Sequence, residues 1–211
     1  MSAGCGSKCE GAVFDGMSSS YKRVLWTVIA INGAMFLVEM TAGLQAGSQA
    51  LQADALDFFG DTATYAISLM VLGQALHVRA KAALFKGLSL AVFGLYVLGS
   101  SLYHIVYMGQ PEPVTIGAVG VLALLANAIS AGLLFRFREG DSNVRSVWLC
   151  SRNDAIGNVA VIFAAGGVWL SGTAWPDLIV ALAMALLFLN GARQILGQAL
   201  GELRQTRGQT A

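Results

Sequence analysis

Three long stretches of the chain contain no lysine or arginine, and this constrains its fold more than any other feature. The stretches lie between Arg23 and Arg79, between Lys86 and Arg136, and between Arg152 and Arg193. Each is long enough for two apolar spans of about 20 residues with a turn between them. Three such pairs predict six transmembrane helices.

The composition supports an all-α integral membrane protein. Hydrophobic residues make up 56% of the chain and charged residues only 12%, whereas a soluble domain carries about 25% charged residues. Turn-forming residues interrupt the apolar stretches at 45–49, 108–113 and 171–177. The predicted helices are 24–44, 49–74, 82–107, 114–136, 145–170 and 176–197.

The distribution of basic residues predicts that both termini are cytoplasmic. Basic residues cluster before helix 1, near alternate turns and after helix 6, namely at Lys8, Lys22, Arg23, Arg79, Lys81, Lys86, Arg136, Arg138, Arg145, Arg193, Arg204 and Arg207. The other three turns have none, and cytoplasmic loops are the ones enriched in lysine and arginine. We expect a flexible cytoplasmic tail over 1–21, a six-helix domain over 22–198 and a short cytoplasmic tail over 199–211. No signal-peptide h-region precedes helix 1.

Acidic residues are rare in the predicted spans, which makes the second helix unusual. The segment LQADALDFFGD (51–61) contains Asp54, Asp57 and Asp61. Intramembrane acids usually face a bundle interior or a water-filled cavity. Asp57 and Asp61 are four residues apart, so they share one helix face and repel each other unless a cation or a shared proton lies between them.

A second pair with the same spacing, Cys150 and Asp154, lies in the fifth predicted helix. Two helices could therefore bring Asp57, Asp61, Cys150 and Asp154 to one point, and four such ligands suit a tetrahedral site for a borderline-soft metal. The alternative is a structural network of aspartates, with Cys150 as a small apolar core residue.

Further polar residues are candidates for accessory roles. Glu39 is a candidate for proton handling or for bracing helix 2, and Asp54 for shaping that helix or for carrying protons or ions. Asn158 could hydrogen-bond a ligand or only a neighbouring helix. Arg152 could extend towards the cytoplasm or neutralise a nearby acid.

The N-terminal segment MSAGCGSKCEG contains Cys5 and Cys9 among glycine and serine residues. On the cytoplasmic side both would be reduced thiols. They are either a capture site that presents a soft metal to the inner mouth of the helix bundle or incidental residues of an unstructured tail.

Two segments of the chain resemble the cation diffusion facilitators. NGAMFLVEMTAGLQAGSQALQADALDFFGD (32–61) is similar to that family's first two helices, with Asp57 and Asp61 on its metal-binding pair. CSRNDAIGNVAVIFAA (150–165) is similar to its fifth helix, and Asp154 falls on the family's aspartate. WPD (175–177) resembles the start of the sixth helix.

The resemblance implies a multi-pass, six-helix protein of the bacterial inner membrane that exports zinc or similar divalent metals in exchange for protons, and it implies a homodimer. The chain departs from the family pattern in three ways. Cys150 replaces the usual histidine, 136–146 has no histidines, and the sequence ends soon after helix 6. We therefore expect a minimal, transmembrane-only member without the C-terminal cytoplasmic domain.

The leading functional hypothesis is a secondary transporter rather than an enzyme. It would bind a divalent cation such as Zn²⁺, Cd²⁺ or Co²⁺ as cargo and exchange it for protons, because carboxylates and thiolates must lose protons to bind metal. We expect no tightly bound cofactor and no nucleic-acid partner. The alternative is a membrane metal-binding or thiol redox protein that does not transport.

Overall fold

The computed structural model describes residues 18–70, 76–107, 109–137 and 142–208. Within them the regular structure is entirely helical. The α-helices are α1 (Ser19–Ala46), α2 (Gln49–Met70), α3 (Leu76–Tyr107), α4 (Pro113–Leu134), α5 (Ser142–Ser171) and α6 (Trp175–Gly208). A 3₁₀ turn, Phe135–Phe137, follows α4.

All six predicted helices have a counterpart among the described residues, but their bounds differ. The predicted start of α3 is residue 82, whereas the helix begins at Leu76. The predicted end of α6 is residue 197, whereas the helix continues to Gly208. α1 also begins inside the segment predicted as a tail. The prediction followed the apolar part of each helix, and these helices continue past it into charged sequence.

Five segments of the described residues are long and apolar enough to cross a membrane: Ser19–Ala46, Ala80–Tyr107, Pro113–Phe137, Ser151–Ser171 and Trp175–Gly201. Large apolar side chains such as Phe163 and Leu170 are mostly exposed on the bundle surface, where lipid would contact them. The protein is therefore a multi-pass membrane protein.

α2 is outside that set, and the three aspartates in its second, third and fourth turns are the reason. It is nevertheless an interior helix. Residues 50–55 are all buried, and α2 packs against α1, α3, α5 and α6. The polar residues of its first two turns, Gln49, Gln52 and Asp54, therefore face protein rather than the bundle surface.

Glycines set the close approach of α3 and α6, which share the most extensive helix interface. A Cβ atom on Gly87 would lie 2.8 Å from Cγ of Leu196, and one on Gly94 would lie 2.8 Å from Cγ of Leu189. Small residues at such positions let helix backbones pack closely. The contact also fixes the rotation of α3 about its axis.

A carboxylate from α6 caps the first turn of α2. Asp177 accepts hydrogen bonds from the Ser48 hydroxyl (2.5 Å) and from the backbone N–H of Gln49 (2.7 Å). The Ser48 hydroxyl in turn accepts from the N–H of Leu51 (3.0 Å). Gly47, with φ 67°, makes the left-handed turn that lets α2 begin immediately after α1. These bonds satisfy N–H groups that a helix cannot pair internally.

Glu112 caps α4 in a similar way, but in an exposed position. Its carboxylate accepts from the N–H of Val114 (3.0 Å) and of Thr115 (2.6 Å). Hydrogen bonds from Thr115, and then from Val114, hold the pKa of Glu112 below its ordinary value. The capped form is thus the ionised one, and its contribution is lost as pH falls through that lowered pKa.

Replacing Asp177 by alanine should destabilise the fold by about 2–3 kcal/mol, because buried N–H groups of α2 lose a charged acceptor that water cannot replace. Equilibrium unfolding in detergent micelles measures the change. Glu112→Ala is the matched control and should cost much less, since water can reach the N–H groups of α4. Equal losses in the two variants would contradict the capping role of Asp177.

Candidate functional site

A cavity of about 580 Å³ lies where α2, α3, α5 and α6 meet. Its walls are mostly apolar, with Phe85 and Phe93 from α3 and Phe188 from α6 among them. Three aspartates of α2, which are Asp54, Asp57 and Asp61, also line it. The acids of the second predicted helix therefore face one common space.

α5 brings a further aspartate into the same cavity. Asp154 lines it opposite α2, and its carboxyl group lies within hydrogen-bonding reach of both Asp57 and Asp61. Asp57 and Asp61 of α2 and Asp154 of α5 therefore border the same cavity, while their role as metal ligands stays a prediction. Three carboxyl groups thus approach one another at a depth where charge is costly.

Asp61 has two neighbours that the sequence did not single out. The Tyr65 hydroxyl, one turn further along α2, donates a hydrogen bond to its carboxylate. The ammonium group of Lys86 on α3 also lines the cavity and lies close enough to attract Asp61. The spacing of four between Asp61 and Tyr65 could have revealed the first contact. The contact between Lys86 and Asp61 was missed because Lys86 was assigned from the sequence to the α2–α3 turn. Lys86 in fact lies ten residues after the start of α3.

Glu39 and Asp54 form a separate acidic pair at the α1–α2 interface. Both are buried, and their carboxyl groups are neighbours. Neither oxygen of Glu39, nor Oδ2 of Asp54, has a hydrogen-bond partner within the described part of the chain. Asp54 also borders the cavity, so this pair extends its acidic lining towards α1.

Two other predicted accessory residues occupy different positions on α5. Asn158 is fully buried one turn beyond Asp154, and among the described residues neither polar atom of its side chain has a hydrogen-bond partner. Arg152 is exposed, and its guanidinium donates to Oδ1 of Asn153 (3.0 Å). Of the two predicted alternatives for Arg152, its exposure favours extension away from the acids.

The three cysteines are less fully described. Cys150 lies in α5 one turn before Asp154, but its side chain is outside the described residues. Cys5 and Cys9 fall in 1–17, which is also outside them. Within the described residues, no three His, Cys, Asp or Glu side chains form a ready-made metal site. The thiol contribution to the site stays a prediction.

Comparison with known proteins adds an independent finding. The model of the cation efflux transmembrane domain matches residues 25–203. The metal cation efflux system protein CzcD of Cupriavidus metallidurans is 28% identical over 194 residues, covering 86% of this chain and 61% of that protein. The zinc transporter ZitB of Escherichia coli is 28% identical over 198 residues, covering 86% and 62% respectively.

A third relative is the cadmium, cobalt and zinc/H⁺-K⁺ antiporter of Bacillus velezensis. It is 26% identical over 199 residues, which cover 84% of this chain and 61% of the relative. The chain thus spans about three fifths of the length of the relatives it matches.

Proposed function

Because the chain belongs to the cation efflux family, we propose that it is a secondary transporter that exports divalent metal cations from the cytoplasm. The observation that carries the proposal is the meeting of Asp57, Asp61 and Asp154, from two helices, in one cavity of an apolar bundle. A divalent cation is the ligand that relieves their mutual repulsion. The name of the Cupriavidus relative supports a metal cation as cargo, and the names of the other two support zinc, cadmium and cobalt.

The proposed binding site consists of Asp57, Asp61, Asp154 and Cys150. Four ligands of this kind can surround a metal tetrahedrally. A thiolate in place of an imidazole shifts the preference towards softer ions such as Cd²⁺. Asn158, one turn beyond Asp154, is the proposed hydrogen-bond partner of a ligand, and the Tyr65 hydroxyl donates a hydrogen bond to Asp61.

Proton antiport is the proposed source of energy. Metal and protons compete for the same carboxylates, so binding one cation releases the other. The buried pair of Glu39 and Asp54 continues from the cavity into α1 and is the proposed route or store for protons. The name of the Bacillus relative, an antiporter of protons and potassium, supports such an exchange.

We further propose that α2 is a sixth span, that both ends of the chain are cytoplasmic, and that the membrane is the bacterial inner membrane. α2 is long enough at 22 residues to cross the hydrocarbon core. Its acids point into protein rather than lipid, which makes a span of this polarity tolerable. A homodimer is the proposed assembly.

Changing any one of the three aspartates to asparagine should reduce metal transport at least tenfold, because each substitution keeps the shape of the side chain and removes one negative charge from the cavity. The measurement is Zn²⁺ and Cd²⁺ uptake into proteoliposomes that contain purified protein and carry a proton gradient. Variants Asp57→Asn, Asp61→Asn and Asp154→Asn are compared at equal reconstituted amounts.

Glu112→Gln is the matched control, since it removes an exposed acid far from the cavity, and it should transport at the wild-type rate. Wild-type transport by Asp61→Asn would contradict the site. Metal binding by the wild-type protein without uptake would favour the alternative of a metal-binding protein that does not transport.

The proposed topology predicts opposite labelling of two introduced cysteines. In a variant with Cys5, Cys9 and Cys150 changed to alanine, a cysteine in place of Gln110 should react with a membrane-impermeant maleimide on intact cells. A cysteine in place of Ala211 should react only after the membrane is opened. Labelling of Ala211→Cys on intact cells would contradict a cytoplasmic C-terminus.

A further inference from the structure

Lys86 is a charged residue that lies inside the bundle and not in the turn between α2 and α3. It lies within α3, and one face of that helix, formed by Lys86, Ser89, Leu90 and Phe93, lines the cavity. Lysines inside a membrane bundle are costly and are retained where a partner compensates their charge. Here aspartates line the same cavity, and one of them, Asp61, lies close enough to be attracted.

The packing of α3 holds Lys86 in this direction. Gly87 and Gly94 face α6 at contact distance, so the helix cannot rotate without forcing Leu196 or Leu189 aside. The ring of Phe93 packs against Phe59 of α2, with 5.7 Å between their centroids. Lys86 lies two turns before Phe93 on α3. It is therefore nearer than Phe93 to the end of the bundle at which α2 ends and α3 begins.

We propose that Lys86 is a tethered counter-cation that competes with the cargo for Asp61 and its neighbours, and thereby lowers the affinity of the site for metal. The inference rests on the proposed transport function. In the absence of cargo, the ammonium compensates the carboxylate that faces it; when a metal ion binds, it must displace the ammonium from that contact.

Such a competitor has a physical consequence for exchange. Buried carboxylates with no resident cation would hold a dication so tightly that release becomes slow. A lysine cannot leave the cavity, so it is always available to take the place of departing metal. The site then binds more weakly and releases faster, which favours turnover over retention.

Lys86→Gln tests this inference, because it removes the charge while keeping a polar side chain. The dissociation constant for Cd²⁺, measured by isothermal titration calorimetry on purified protein in detergent, should fall by about tenfold or more. Repulsion between a unit charge and a dication that share one cavity of low polarity is worth more than the ~1.4 kcal/mol that a tenfold change represents. KM and the maximal transport rate should fall together in proteoliposomes.

Two variants control for charge and for position. Lys86→Arg keeps the charge and should bind Cd²⁺ within about twofold of wild type. Lys81→Gln removes an exposed lysine of the same helix and should bind as wild type does. If Lys86→Gln does not purify as a monodisperse protein, Lys86→Met replaces it. Methionine is about as long as lysine, and its apolar side chain suits the mostly apolar cavity wall.

An unchanged or larger dissociation constant in Lys86→Gln would overturn the counter-cation role, and a larger one would indicate that Lys86 positions Asp61. In Asp61→Asn, where the partner charge is gone, adding Lys86→Gln should tighten binding less than it does in the wild type. If the wild-type protein bound no Cd²⁺, the proposed function itself would fail. That result is distinct from failure of the Lys86 inference alone.

Discussion

The burial of α2 inside the bundle is the constraint on which the other features depend. A helix that carries Asp54, Asp57 and Asp61 cannot present those residues to lipid, where an uncompensated charge costs several kilocalories per mole. It must be enclosed by other helices, and residues 50–55 are indeed buried. The glycine contacts between α3 and α6 serve the same end, because they bring the neighbours of α2 close together.

Enclosing α2 creates a second requirement at its first turn. The N–H groups there are out of reach of water, so another helix must supply their acceptor, and Asp177 of α6 does so together with Ser48. This cap links the start of α2 directly to α6, whose later turns form one wall of the aspartate cavity. The helix that carries three of the four cavity aspartates is therefore held at one end by a helix that borders the same cavity.

Sequence reasoning gave much of the fold and part of the site, for identifiable reasons. Basic-free stretches mark apolar helices, and the spacing of four places Asp57 with Asp61; both are local properties of the chain. That Asp154 meets them was expected from a matching pair in another helix. Lys86 was assigned to a turn, because the position of a residue across a helix interface depends on which face packs, and glycines at 87 and 94 decide that face. Asp177 was noted only as part of WPD, since nothing local shows that its partner is a turn 128 residues earlier.

Under the proposed function, the cost of burying acids also explains why a cavity of this kind suits exchange rather than permanent binding. Each ionised carboxylate needs a cation nearby, and the described part of the chain places one lysine beside the aspartates of α2 and α5. Proton and metal are the other available cations, and either one relieves the same repulsion. Because both stabilise the same arrangement of side chains, replacing one by the other does not require the bundle to unfold. If the side chains of the protein compensated all of the charge in such a site, the site would not need a proton or a metal ion. It would then have no energetic reason to bind a proton or a metal ion.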